Sequence, residues 1–136
     1  MKEIKTVLTE KLGIQYPIIA ACMQWISKAE LVAAVSEAGG LGVLSSSTFF
    51  TAEELRAEVK KVKSMTDKPF AVNITFLPAS FEPDFDGYIR VCKEEGVKII
   101  ETAGRIPSPE RIAAIKDAAF WMHKCTIVKH ALKAQN

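Results

Sequence analysis

The sequence predicts an α/β fold built on a parallel sheet, and three observations lead there. Short apolar runs (17–21, 41–44, 70–74, 97–102 and 120–124) alternate strictly with longer segments whose apolar residues recur at helical spacing. The links are brief: only Gly39 and Gly40 separate the first helical segment from the second apolar run. A strand, an amphipathic helix and a second strand joined by so little chain are most economically a parallel pair with a right-handed crossover. Parallel sheets bind ligands at the carboxyl ends of their strands, so the loop Cys22, Met23, Gln24, Trp25 is the first place to look for a site.

The elements follow in order. Thr9 to Gly13 is expected to form a short helical turn closed by glycine, delivering the chain to a strand that Pro17 can start, because a missing N–H costs least at a strand end. Ser27 and Glu30 have capping-box spacing, predicting a helix over 28–38 with Leu31, Val32, Val35 and Ala38 toward the sheet. Gly39 and Gly40 end it; a strand over 41–44 and a loop over 45–48 come next. Thr51 and Glu54 repeat the capping pattern, with Leu55, Val59 and Val62 inward and Thr66 to Pro69 as the stop. The third strand (70–74) leads into a proline-punctuated loop over 78–87. A helix over about 86–95 turns Tyr88, Ile89, Val91 and Cys92 inward until Gly96. After the fourth strand (97–102), Ser108 and Pro109 open a helix burying Ile112 and Ile115; a fifth strand (120–124) and a last helix (126–134) complete the pattern.

Composition bounds the function. With 136 residues, close to half of them apolar, the chain supports a single α/β domain over 1–136. A net charge of +2, with acids and bases interspersed, offers no basic face for nucleic acid. Lys60, Lys61 and Lys63 neighbour Glu53, Glu54 and Glu58, which predicts a solvated helix face. No apolar run approaches the roughly twenty residues that span a bilayer, and the first residues lack a signal-like core, so a cytoplasmic location is expected. Cys22, Cys92 and Cys125 lack metal-ligand spacing, which predicts reduced thiols and no structural metal.

Four ordered segments, PIIAACMQWISKAELVAAVSEAGGLGVL, MTDKPFAVNITFLP, VKIIETAG and HKCTIVKHALKA, resemble the nitronate monooxygenase family (formerly 2-nitropropane dioxygenases), FMN oxidoreductases on a TIM barrel that oxidise alkyl nitronates with O2. The resemblance implies the first five βα units of such a barrel. The strand and helix count alone also fits a complete flavodoxin-like doubly wound domain, though no glycine-rich phosphate loop follows the first strand.

By this resemblance Ala21, Cys22 and Met23 lie along the flavin, where Cys22 replaces a frequent proline. Asn73 matches an FMN-binding asparagine, and independently a carboxamide inside FAVNI must find hydrogen-bond partners. Thr102 and Lys124, at the ends of the fourth and fifth strands, are expected to face the cofactor. His123 alternates to the other side as a packed residue, and His130 lies on the surface. The family's histidine associated with substrate deprotonation follows the sixth strand, and its phosphate loops follow the seventh and eighth, so no catalytic residue is assigned among these five units. Weak or partial FMN binding is expected, with self-association or a completing chain. The competing expectations are a non-catalytic self-associating fragment and an FMN barrel that reduces enoyl thioesters.

Overall fold

Helix caps, glycine turns and alternating apolar strands produce the expected rhythm in the computed structural model, which describes residues 4–78 and 81–135. Ala79 and Ser80 of the predicted loop, and residues 1–3 and 136, lie outside the described residues. The chain runs α1 (Val7–Leu12), β1 (Ile19–Ala20), α2 (Ala29–Glu37), β2 (Leu41–Ser45), a 3-10 turn (Ser46–Thr48), α3 (Ala52–Met65), β3 (Phe70–Phe76), α4 (Phe85–Glu94), β4 (Ile99–Gly104), α5 (Pro109–Ala118), β5 (Phe120–Lys124) and α6 (Val128–Gln135).

The strands form one sheet in the order β1-β2-β3-β4-β5, every neighbouring pair parallel. A doubly wound sheet reverses its strand order at a switch point, whereas a barrel adds strands in sequence order. The sheet is therefore the curled, five-stranded part of a TIM barrel, and the flavodoxin-like alternative is set aside. Strand alternation sends Leu44, Val72, Ile74, Phe76 and Ile100 into a core shared with the helices. Leu41, Val43, Ala71 and Ile99 point to the opposite, inner face, where Leu12 and Ile14 pack against them.

The predicted cap of α3 is present: Thr51 and Glu54 exchange hydrogen bonds, and Leu55, Val59 and Val62 are fully buried. Ser108 caps α5 ahead of Pro109, and the four predicted inward residues of α4 are all buried. Ile115 is buried, but Ile112 is only half-buried. Lys60, Lys61 and Lys63 are exposed; Lys61 pairs with Glu30, and Lys63 Nζ donates to the Glu95 carbonyl at 2.8 Å.

α2 departs from expectation. Lys28, not Ser27, is its N-cap and makes no side-chain cap. Ser27 Oγ instead accepts from Met23 N–H at 2.9 Å, and the Ala29 N–H donates to Glu58 of α3 at 2.8 Å. The buried stripe is Ala29, Val32, Ala33 and Ser36, while Leu31 and Val35 are half-buried and Ala38 is exposed. Gly42 explains the small residues: a Cβ there would lie 2.2 Å from the Val32 carbonyl oxygen, so the α2 backbone rests directly on β2. β1 is shorter than predicted because it is an edge, paired only through Ile19 to Leu41 and Ala20 to Gly42. β3 and β4 each run two residues further than predicted, six residue pairs long, which carries their polar ends to the site.

Candidate functional site

In a parallel sheet, residues in register share a face. Asn73 lies opposite Glu101, which lies opposite Met122; one step toward the carboxyl ends, Ala103 lies opposite Lys124. These positions belong to the inner face, because Ala71 and Ile99, two residues earlier, are in its apolar cluster.

The inner face carries a continuous polar chain at the carboxyl ends of the strands. Thr75 Oγ1 donates to Asn73 Oδ1 at 2.7 Å, and Asn73 Nδ2 donates to Glu101 Oε1 at 2.8 Å. Lys124 Nζ donates to the same Glu101 oxygen at 3.1 Å and lies 3.7 Å from Cys22 Sγ. Cys22 Sγ is itself 3.9 Å from that oxygen. Asn73 is 0% exposed and Glu101 only 6%, so the network satisfies groups that would be costly to bury alone. Burial disfavours the Lys124 ammonium, but its contacts with Glu101 and Cys22 outweigh that and hold it above the usual lysine value. Burial pushes the Cys22 thiol up, against the lowering influence of Lys124 and with the help of Glu101. The arrangement is a compensated ion pair with a protonated thiol at its edge.

The loop after β1 is built to hold its shape. Trp25 adopts φ +69, uncommon for a bulky residue, and is held by its N–H donating to Thr48 Oγ1 at 3.0 Å. Gln24 Nε2 donates to the Ser47 carbonyl at 2.7 Å. Met23 and Trp25 are left exposed in this loop, and the Trp25 ring lies 6.2 Å from that of Phe50. A cavity of about 300 Å³ opens nearby, lined by Gln24, Ser47, Thr75, Phe81 and Tyr88. Another of about 520 Å³ lies at the opposite end of the strands, around Leu12, Pro69, Phe70 and Phe120, and contains none of the polar chain.

The structure brings Cys22, Asn73 and Lys124 together around Glu101, with Lys124 also touching Cys22 directly. Ala21 and Met23 belong to the adjoining loop, with exposed side chains. The placement of Thr102 is corrected. It is 0% exposed on the helix side, where its Oγ1 accepts from the Trp121 indole at 2.8 Å and lies 2.8 Å from His123 Nδ1. Alternation is the reason: Glu101 faces inward, so Thr102 cannot. His123 is packed on that same side, and burial lowers its pKa below the usual histidine value. Glu101 stood outside the expected set, although a carboxylate in the apolar strand IIETAG carries the same burial signal as Asn73.

Residues 5–135 match the family model described as nitronate monooxygenase. The chain is 40% identical over 131 residues to the (3aS,4S,5R,7aS)-5-hydroxy-7a-methyl-1-oxo-octahydro-1H-indene-4-carboxyl-CoA dehydrogenase of Mycobacterium tuberculosis, covering 96% of this chain and 35% of that protein. It is 52% identical over 66 residues to a nitronate monooxygenase of Pseudomonas aeruginosa, covering 48% of this chain and 18% of that one. FabK from Thermotoga maritima superposes with a TM-score of 0.84 at 30% identity, over 97% of this chain and 41% of that chain. The nitroalkane oxidase of Streptomyces ansochromogenes gives 0.81 at 24% identity over 96% and 45%, a likeness of fold. The chain spans about a third of the length of the curated relatives that match most of it. Among the described residues no helix is long and apolar enough to cross a membrane. By the family match over nearly its whole length, the chain belongs to the nitronate monooxygenase family.

Proposed function

We propose that this chain supplies one wall of the FMN site of an oxidoreductase that oxidises alkyl nitronates with O2. The observation that carries the reading is the inward chain Asn73, Glu101, Lys124 and Cys22 at the carboxyl ends of a barrel sheet, on a member of this family. Bound FMN would supply the electron-transfer chemistry between nitronate and oxygen.

The residues fit a flavin ring edge. The Asn73 carboxamide is fully buried and engaged by Glu101 and Thr75, so it braces the opening from behind, through Glu101. Lys124, partly exposed, brings positive charge to the same opening, and Met23 and Trp25 offer apolar surface for a planar ring. Ala21 and Met23 flank Cys22 in the chain, and the Met23 N–H and carbonyl are spent within the loop on Ser27 and Ile26. These contacts address a ring rather than a phosphate, so binding by this chain alone is expected to be weak, with little nitronate turnover. A cytoplasmic setting accords with the three free thiols. The open sheet edges favour a second copy or a completing chain.

A second reading is an FMN barrel acting on a thioester. It is favoured by the 40% identity to a carboxyl-CoA dehydrogenase and the superposition on FabK.

Titration of the purified chain with FMN, followed by flavin fluorescence, tests the cofactor. Weak binding is expected, weakened further several-fold by Lys124→Met and by Asn73→Leu. Affinity indifferent to both substitutions would overturn the site. Tight stoichiometric flavin with robust oxygen-dependent nitronate oxidation would overturn the weak-binding expectation, and turnover of enoyl thioesters instead would select the second reading.

A further inference from the structure

We propose that Glu101 is the positioning residue of this site: its carboxylate fixes Lys124, Asn73 and Cys22 relative to one another at the mouth of the sheet. The inference deepens the flavin reading and rests on it only where FMN is the probe. One oxygen, Glu101 Oε1, is the point on which β3, β5 and the loop after β1 converge, through Asn73 Nδ2 at 2.8 Å, Lys124 Nζ at 3.1 Å and Cys22 Sγ at 3.9 Å. Without it the long Lys124 side chain, 43% exposed, would keep only its contact with Cys22 Sγ, at 3.7 Å, and the amide orientation of Asn73 would be set by Thr75 alone.

Stability does not account for a charge here. Well-packed apolar residues commonly serve a buried position as well as an ion pair does, so a carboxylate that is 6% exposed is better understood as fixing side-chain positions. The pairing also has an electrostatic consequence. Glu101 compensates the lysine, so a ring entering the opening meets an oriented donor without a full uncompensated positive charge.

Cys22 provides a reporter independent of flavin. Cys92 is fully buried, with a thiol pushed up to about 12, so it is silent toward alkylating reagents, and Cys125→Ser removes the remaining thiol. In that background, iodoacetamide labelling of Cys22 at pH 8 is followed by mass spectrometry. Glu101→Gln removes the negative charge beside the sulfur and releases Lys124 toward it, so labelling is expected to accelerate about three- to tenfold. Lys124→Met is expected to slow it. In the double variant the Glu101→Gln gain should shrink markedly, because part of it runs through Lys124. Glu101→Asp keeps the charge with less reach and should fall between wild type and Glu101→Gln.

FMN titration of the same variants should show affinity reduced several-fold by Glu101→Gln and partly restored by Glu101→Asp. Labelling unchanged in both Glu101 variants, or a Glu101→Gln gain undiminished by Lys124→Met, overturns the positioning role whatever FMN does. Labelling that responds as expected, with FMN affinity unmoved by any substitution at Glu101, Lys124 or Asn73, upholds the positioning role and removes the flavin reading.

Discussion

Asn73 is fully buried, and both ends of its carboxamide are engaged, one by Thr75 and one by Glu101. Asn73→Leu would leave the Thr75 hydroxyl without its acceptor and take one donor from Glu101, which keeps Lys124, a loss of about 1–3 kcal/mol by the usual cost of unsatisfied buried groups. Asn73→Asp should be worse near neutral pH, because it places a second carboxylate where 2.8 Å now separates a donor from Glu101. Two carboxylates so close cannot both ionise, so the excess cost should shrink on acidification as the pair shares a proton. Urea denaturation of wild type and both variants at pH 7 and pH 5 checks the order; an Asp variant as stable as wild type at pH 7 would refute it. Asn73 was legible because a buried amide needs partners, and Lys124 only through the family resemblance. Glu101 and Thr102 were not, since sequence gives alternation within a strand but not which parity faces inward. That parity is fixed only by the pairing of Asn73 with Glu101.

At the scale of the element, the caps read from local spacing are present in α3 and α5, whereas the Ser27–Glu30 box read for α2 is not. The α3 box closes between Thr51 and Glu54, three residues apart, and the Ser108 cap of α5 is equally local. The first turn of α2 is satisfied from a different helix, by Glu58 accepting from the Ala29 N–H, and no spacing within α2 announces that. The outcome distinguishes the two carboxylates. Glu58→Ala should cost about 1 kcal/mol, the typical value of a lost cap, with the added charge favourable at a helix amino terminus. Glu30→Ala should cost clearly less, because its main partner is Lys61 in an exposed pair. Thermal or urea melts of the two variants decide it, and equal losses would show that Glu30 contributes to the cap after all.

At the scale of the molecule, among the described residues β1 is bonded only to β2, and β5 only to β4, leaving two open edges. Their surroundings are apolar. Ile18 beside β1 is 62% exposed and Phe120 of β5 is 41% exposed. α6 has no buried residue and leaves Val128 at 76% and Leu132 at 58%. A helix that buries nothing gains little from its own fold, so its apolar side chains are available for association with whatever packs beside β5. Open parallel edges beside exposed apolar residues are the surfaces that the proposed self-association would use. The expected outcome is self-association at micromolar concentration, measured by sedimentation velocity. Val128→Lys with Leu132→Glu should weaken it while leaving the far-ultraviolet circular dichroism unchanged, since neither residue supports the core. A clean monomer across that concentration range would show that the open edges are protected by their own twist and charge. Association unaffected by the α6 substitutions would instead place the contact at β1, beside which Ile18 is exposed.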